Sequence, residues 1–327
     1  MTLFSLRYDL RAPAIGKADA QALYAAALEQ AEWADRLGFA AVVLSEHHGS
    51  PDGYLPSPLV MGAAVAARTR RIRIGTAALI APLHDPVRIA EDLAVLDVIS
   101  GGRLVPMLSG GYVASEFAMF GRALDQRAQY MDEIVPFLTR AWTGEPFEWQ
   151  GRTMRVTPRP VQRPRPPILL GGNSRAAARR AARYADGFVP TMPDYFELYR
   201  EELRKLGKPD PGPMAPPLGG FVHVALDPDA AWRRIAPHAM HETNSYGRWI
   251  EAAGGGGPYK VVESADALRA SGAYLVLTPD ELIERARALG PGGGVALHPL
   301  MGGLDPELAW ESLSLVESKV LPALRGS

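Results

Sequence analysis

The sequence predicts an α/β protein built as a (β/α)8 TIM barrel with insertions. Short apolar runs of strand length alternate with helical patterns almost from one end of the 327 residues to the other. This alternation implies right-handed crossovers and a parallel sheet. The second run, Ala40–Leu44, is continuously apolar, as a strand buried on both faces requires. Eight such units close most naturally as a barrel, and an open doubly wound sheet, which usually has fewer strands, is the alternative.

The first four units fill the N-terminal half of the chain. Their strands are predicted at Leu3–Tyr8, Ala40–Leu44, Ile72–Ile80 and Leu104–Leu108. Apolar residues spaced by three and four predict the helices that follow, at Leu23–Leu37, Pro58–Ala67, Pro86–Ile99 and Leu124–Trp142. Gly38 stands where the first helix needs a C-terminal cap, and Pro86 occupies a first turn, where its missing N–H costs nothing.

The last four units continue the pattern less regularly. Their strands are predicted at Ile168–Leu170, Gly187–Pro190, Gly219–Leu226 and Val295–Leu297. Helices are predicted at Ser174–Tyr184, at Tyr195–Leu206, from near Pro228, at Leu282–Leu289, and along a final stripe of Leu313, Val316, Val320 and Leu324. Two segments are longer than a barrel unit needs. One hairpin is expected within residues 144–166, and a lid or an oligomer contact is expected within residues 227–280. The whole of 1–327 is therefore predicted as one domain with two insertions.

Composition excludes several classes of protein. Lys and Arg number 35 against 36 Asp and Glu, so no charge excess favours nucleic acid or an anionic membrane as partner. The absence of Cys rules out disulfides, thiolate metal sites and a Cys nucleophile. The opening MTLFSLRYDLR carries charges where a signal peptide needs an apolar stretch, and no run is long enough to span a membrane. These features predict a cytoplasmic protein that acts on a small molecule.

The second predicted strand runs directly into Glu46, His47 and His48. Chemistry in barrels lies at the carboxyl ends of the strands, and a carboxylate beside a histidine orients it and holds its charged form. A buried, hydrogen-bonded histidine next to a solvent-facing one fits the same spacing. One Glu and two adjacent His cannot readily face a single ion, so no metal site is expected.

Two glycine-containing segments follow later strands. Gly171, Gly172, Asn173 and Ser174 open a helix directly after strand five, where exposed N–H groups and the helix dipole favour a phosphate. Plain capping by Asn or Ser is the alternative, although capping does not need two glycines. Ser109-Gly110-Gly111, after strand four, lets the backbone approach a ligand or makes a tight turn.

These segments together resemble the bacterial luciferase-like flavin-dependent monooxygenase family. The similarity is tightest from Gly38 to Gly121. It rests on Gly38-Phe39, Ser45-Glu46-His47-His48, Gly75-Thr76-Ala77-Ala78, Asp85-Pro86-Val87-Arg88-Ile89-Ala90-Glu91-Asp92, Ser100-Gly101-Gly102-Arg103, Glu116-Phe117 and Phe120-Gly121. The family fold is a (β/α)8 barrel, in agreement with the strand count.

The resemblance implies a cofactor and roles for several residues. Members bind reduced FMN, supplied by a separate flavin reductase, and use O2 to oxygenate a small organic substrate; one branch binds the deazaflavin F420 instead and transfers hydride. His47 matches the catalytic histidine, with His48 beside it and Glu46 close to the flavin. Ala77-Ala78 matches a dipeptide under the flavin ring that often carries a cis peptide bond. Gly171 to Ser174 match the phosphate-binding turn.

One position departs from the family pattern. Many FMN-binding members place an arginine after strand four, where this chain has Gly110, and the loss removes a bidentate phosphate clamp. Arg175 or Ser109 is the expected substitute. We expect an FMN-dependent monooxygenase and, by resemblance, a homodimer. An F420-dependent oxidoreductase and a non-catalytic flavin-binding barrel are the alternatives.

Overall fold

The computed structural model describes residues 2–214, 218, 220–257, 259–290 and 292–325. The strands are β1 Leu3–Tyr8, β2 Ala41–Leu44, β3 Arg73–Thr76, β4 Leu79–Ile80, β5 Leu104–Val105, β6 Met107–Ser109, β7 Phe147–Trp149, β8 Arg152–Met154, β9 Leu169–Gly171, β10 Gly187–Val189, β11 Phe221–Val224, β12 Tyr274–Leu277 and β13 Gly294–Leu297. The helices are α1 Ala20–Arg36, α2 Pro58–Arg68, α3 Pro86–Ser100, α4 Ala114–Met119, α5 Arg127–Ala141, α6 Arg175–Tyr184, α7 Pro193–Lys205, α8 Pro228–Ala252, α9 Ala265–Ala270, α10 Pro279–Ala288, α11 Pro306–Leu315 and α12 Leu321–Arg325.

Contacts divide the chain into two compact units. The first comprises Met1–Val43, Gly49–Pro56 and Ala215–Ser327, and the second comprises Leu44–His48 and Ser57–Met214. The single domain predicted over the whole chain stays a prediction.

The first unit contains two parallel strand pairs. β1 pairs with β13 from Leu3 opposite Gly294 to Leu6 opposite Leu297, and β11 pairs with β12 along its full length. Helix α8 begins at Pro228 because the Asp227 side chain accepts hydrogen bonds from the first-turn amides. The buried face of α8 packs into a core with Phe221, Trp232, Ile235, Met301 and Leu304.

The second unit is built on parallel strands in the order β10, β9, β6, β4, with β3 paired to β5. Helix α3 begins at Pro86, and the Asp85 side chain caps it by accepting from the amides of Val87 and Arg88. The antiparallel pair β7 and β8 confirms the hairpin expected within 144–166. Parallel strands linked through helices confirm the predicted α/β class.

Three differences from the predicted elements have local causes. Predicted strand three is split into β3 and β4 by Ala77 and Ala78, whose peptide bond is cis. Predicted strand four is split at Pro106, which has no N–H to donate to a neighbouring strand. The sequence from Gly254 to Tyr274 has no clear helical or strand period, so it predicts neither α9 nor strand β12, which begins at Tyr274.

The predicted first residue of strand seven, Gly219, lies outside the described residues. Across the part of the chain that the structure describes, no helix combines the length and the apolar character that crossing a membrane requires.

Candidate active site

The chain leaves β2 through a buried polar segment. Leu44 ends the strand, and Ser45, Glu46 and His47 are buried directly after it, with His48 half-buried. Polar side chains are expensive to bury unless they are paired. The contacts of each one therefore indicate what the segment is built to hold.

Glu46 is the centre of one set of contacts. Its Oε1 atom lies 3.0 Å from Nε2 of His48 and 2.8 Å from Nε2 of His84, and its Oε2 atom accepts a hydrogen bond from the amide of Ile80. Burial raises the pKa of this carboxyl, but the hydrogen bonds from the two imidazoles and from Ile80 outweigh it and lower the pKa below its usual value. Glu46 is therefore an ionised carboxylate that joins the ends of β2 and β4 to the start of α3.

His47 contacts a different carboxylate. Its Nδ1 atom lies 2.7 Å from Oε1 of Glu116, a residue of α4 that is 1% exposed. The same oxygen accepts from the backbone amide of His48 at 2.9 Å, which fixes its position. The ring of Tyr112 stands edge-on to His47, with 5.9 Å between ring centroids. The carboxylate that orients His47 is thus Glu116, whereas Glu46 orients His48 and His84.

The two alanines that follow β3 lie next to this segment. Both are half-buried, and the amide of Ala77 donates to the carbonyl of Leu44 at 2.8 Å. Their cis peptide bond is the feature that the resemblance associates with this dipeptide. The structure thus brings Ala77 to the end of β2, from which the histidines extend.

Ser109 and Gly171 end neighbouring strands. They lie at the ends of β6 and β9, which pair in parallel, and a Cβ atom added to Gly171 would be 3.7 Å from Cβ of Ser109. A Cβ added to Gly110 would lie within 3.9 Å of Cγ and Cδ of Arg127 and 3.6 Å from Cγ of Met131. The stem of a guanidinium side chain from α5 therefore covers the position where the family's arginine is missing.

The junction between β9 and α6 shows capping as well as a feature suited to anions. The Ser174 hydroxyl accepts from the amide of Ala177 at 3.1 Å, and Asn173 links to Thr191 through both its amide nitrogen and its amide oxygen. Arg175 is exposed at the start of α6, whose first turn has no acidic residue. The side chains of Asn173 and Ser174 are thus engaged within the protein, and Arg175 and the backbone of Gly171 and Gly172 are left as candidate anion contacts.

Sequence reasoning missed three residues that belong to this site. Glu116 entered only as part of a family segment, although an acidic residue beside a buried aromatic residue was a usable signal. His84 contacts Glu46 across 38 positions of the chain, and no local pattern of the sequence indicates that contact. Arg127 was read as an ordinary residue of a predicted helix.

Comparison with known proteins places the chain in a family. The profile described as luciferase-like monooxygenase matches residues 10–296. The chain belongs to the luciferase-like monooxygenase family. The crystal structure of the monooxygenase RslO1 from Streptomyces bottropensis is similar over 98% of this chain and 99% of that one, with a TM-score of 0.78 and 27% identity. The predicted luciferase-like fold is thereby confirmed.

Two curated relatives carry different cofactors in their names. The oxygenase component of flavin-dependent trigonelline monooxygenase from Acinetobacter baylyi is 31% identical over 45% of this chain and 43% of the relative. The F420-dependent glucose-6-phosphate dehydrogenase of Microbacterium testaceum is 31% identical over 52% of this chain and 53% of the relative. The chain thus spans about half the length of each of these relatives. Family membership supports an oxidoreductase and leaves the reaction to be proposed.

Proposed function

We propose that the chain is the oxygenase component of a flavin-dependent monooxygenase, which uses reduced FMN and O2 to oxygenate a small organic substrate. The observation that carries the proposal is the buried pair of His47 and Glu116, 2.7 Å apart at the end of β2. A luciferase-like chain without catalytic activity would have no use for an imidazole held so firmly by a buried carboxylate.

The residues present fit a flavin. Ala77 and Ala78 offer only methyl groups at the half-buried end of β3, and Gly171 offers no side chain beside Ser109. The helix that follows Gly171 and Gly172 starts with Arg175 and lacks an acidic residue in its first turn. A helix N-terminus of this kind suits a phosphate. We assign the flavin contacts to Ala77, Ala78, Ser109, Gly110, the glycines of this turn and Arg175.

When reduced FMN is bound, it supplies two electrons, one oxygen atom of O2 enters the substrate, and the other leaves as water. Glu116 keeps the proton of the His47 imidazole on Nδ1, so the other ring nitrogen, Nε2, accepts or returns a proton during this reaction. His48 and Glu46 act through position: Glu46 fixes the His48 and His84 rings and the amide of Ile80, and thereby the loops around the site.

Hydride transfer with F420 is the alternative function. The observation that favours it is Gly110, which lacks the arginine of many FMN-binding members, and the 31% identity to an F420-dependent dehydrogenase supports it. We favour FMN because the resemblance implies that F420-binding relatives more often read Asp-His after strand two, where this chain reads Glu46-His47-His48. We also propose a flavin reductase as partner, a homodimer and a cytoplasmic location.

The deciding experiment is anaerobic titration of the full chain with FMNH2 and with reduced F420, followed by mixing with 18O2 and a panel of aldehydes, ketones, thioethers and sulfonates. The proposal expects FMNH2 to bind and one 18O atom to appear in a product. Binding of F420 alone, with no oxygen incorporation, would overturn it in favour of hydride transfer. The third outcome is FMNH2 binding without any product across the panel. If a His47→Asn variant then binds FMNH2 with the same affinity as the wild type, the chain would be a non-catalytic flavin carrier.

A further inference from the structure

A second cluster of polar side chains lies within the first unit, away from the residues discussed so far in sequence. Asp9 follows β1, His298 follows β13, and Glu242 belongs to α8. Because β1 and β13 pair in parallel, Asp9 and His298 leave the same edge of the pair. The three residues are 0%, 1% and 3% exposed.

Three of the four atoms that face one another in this cluster lack a hydrogen-bond partner among the described residues. Nε2 of His298 lies 3.5 Å from Oδ1 of Asp9, and Nδ1 lies 3.5 Å from Oε1 of Glu242. Among the described residues, no hydrogen-bond partner reaches either ring nitrogen of His298, and none reaches Oε1 of Glu242. Buried polar atoms are nearly always hydrogen-bonded, so such a group requires a ligand or another explanation.

The opposite oxygen of each carboxylate is firmly held. Oδ2 of Asp9 accepts from Nε of Arg11 at 3.0 Å, and Oε2 of Glu242 accepts from the hydroxyl of Tyr274 at 2.6 Å. Arg11 also pairs with Asp52 at 2.8 Å, so its charge is shared between two carboxylates. Each carboxylate is thus oriented through one oxygen and presents the other to His298, as carboxylate ligands of metal ions are oriented by outer hydrogen bonds.

One ligand atom from each of the three residues lies within 4.8 Å of the other two. Oδ1 of Asp9 accepts only a long hydrogen bond, from the amide of Arg11 at 3.4 Å, and Oε1 of Glu242 accepts none among the described residues. Two buried carboxylate oxygens this close repel each other, and a cation between them would offset the repulsion. Metal–ligand distances of about 2.0–2.2 Å place coordinating atoms roughly 3–3.5 Å apart, so a modest contraction of the cluster would complete the site. We propose that Asp9, Glu242 and His298 bind a divalent transition-metal cation.

The donor set indicates which cation. Mg²⁺ and Ca²⁺ prefer oxygen ligands alone, whereas one imidazole with two carboxylates suits Zn²⁺ or Mn²⁺. The bound cation ties the ends of β1 and β13 to α8 and stabilises the first unit. A protonated His298 would also offset the repulsion between the carboxylates of Asp9 and Glu242. It is the competing outcome of the test.

The test uses the full, untagged chain treated with a chelator and dialysed against Zn²⁺, with bound metal measured by elemental analysis and Tm measured in parallel. We expect one Zn²⁺ per chain, a higher Tm with Zn²⁺, and no displacement by Mg²⁺ in large excess. His298→Asn should abolish binding, and His223→Asn, which alters another buried histidine of the same unit, should leave it unchanged. Glu242→Gln keeps an acceptor for Tyr274 and should weaken Zn²⁺ binding at least tenfold.

Two results would overturn the proposal. One is a wild-type chain that takes up no stoichiometric Zn²⁺, and NMR of His298 would then show both ring nitrogens protonated. The other is equal uptake by the wild type and a Glu242→Gln variant that far-UV circular dichroism shows to be folded. Neither result bears on flavin binding, which is measured without added metal.

Discussion

Nδ1 of His47 lies 2.7 Å from Oε1 of Glu116, a residue 69 positions further along the chain. The same carboxylate oxygen accepts from the amide of His48, so one short helix, α4, sets both the ring orientation of His47 and the path of the chain beside it. In the reaction that we propose, this contact decides which nitrogen of His47 carries a proton.

Removing the imidazole should abolish turnover without unfolding the protein. For His47→Asn we expect kcat to fall on the order of 10²–10⁴-fold, the usual contribution of a positioned acid or base, with the Kd for FMNH2 within about threefold of wild type. Glu116→Gln retains an acceptor for Nδ1 and should lower kcat by roughly tenfold. Rapid-mixing kinetics and anaerobic titration measure both quantities. Turnover at the wild-type rate in His47→Asn would refute the catalytic assignment.

Glu46 should contribute to stability mainly above acidic pH. Its lowered pKa means that its contribution is complete above the usual value of 4.5 and is lost as the pH falls through the lowered value in the folded state. Glu46→Gln leaves His48 and His84 without their carboxylate and should reduce the free energy of unfolding at pH 7 by about 3 kcal/mol. The difference between variant and wild type should shrink as the pH falls below 4.5. Urea denaturation of both proteins across this pH range measures the difference in the free energy of unfolding. A difference that does not change with pH would contradict the prediction.

The sequence predicted the site's chain-local features better than its contacts. His47 and the turn at Gly171 were predicted because each follows a strand whose apolar run is readable on its own, whereas Ala77 was predicted through the family resemblance. Glu116 and Arg127 act through contacts with His47 and Gly110 that depend on how α4 and α5 pack, and no local period records such packing. Strand β12 was missed because four residues give too short a pattern to separate a strand from a helix.

Arg127 should supply the guanidinium that Gly110 lacks. Its stem covers Gly110, and one guanidinium nitrogen is anchored on the carbonyl of Leu124 at 2.7 Å. Because a charge-assisted hydrogen bond contributes about 1.5–3 kcal/mol, Arg127→Met should weaken FMN binding by roughly ten- to a hundredfold. Riboflavin, which has no phosphate, should bind the variant and the wild type equally.

Fluorescence titration of both flavins measures this difference, with Arg140→Met on the same helix as the matched control. Equal loss of FMN and riboflavin affinity would show that Arg127 supports the fold rather than the phosphate. Arg175→Met should also weaken FMN binding, because Arg175 is assigned to the same phosphate. A loss of FMN affinity in Arg175→Met alone would confine the phosphate contact to the start of α6.

The proposed homodimer has a candidate surface on α2 and α3. Four apolar side chains of these two packed helices are 41–73% exposed, namely Val60, Val95, Val98 and Ile99. Large apolar side chains left exposed on two packed helices favour association. Sedimentation should show a dimer at micromolar concentration, and Val60→Glu combined with Ile99→Glu should yield a folded monomer. Leu206→Glu, at an exposed position after α7, is the control. A monomeric wild type would exclude the dimer.

His223 should make the protein less stable as the pH falls toward 4. Burial in β11, helped by the charge of Arg234, lowers its pKa from 6.5 to about 4. Between these values the unfolded chain binds a proton that the folded chain does not, so the free energy of unfolding decreases by up to about 1.4 kcal/mol per pH unit. Above pH 6.5 the effect vanishes, since both states are neutral. A His223→Gln variant should show a flatter dependence over this window in denaturant titrations, whereas a slope equal to that of the wild type would mean that His223 is protonated when folded.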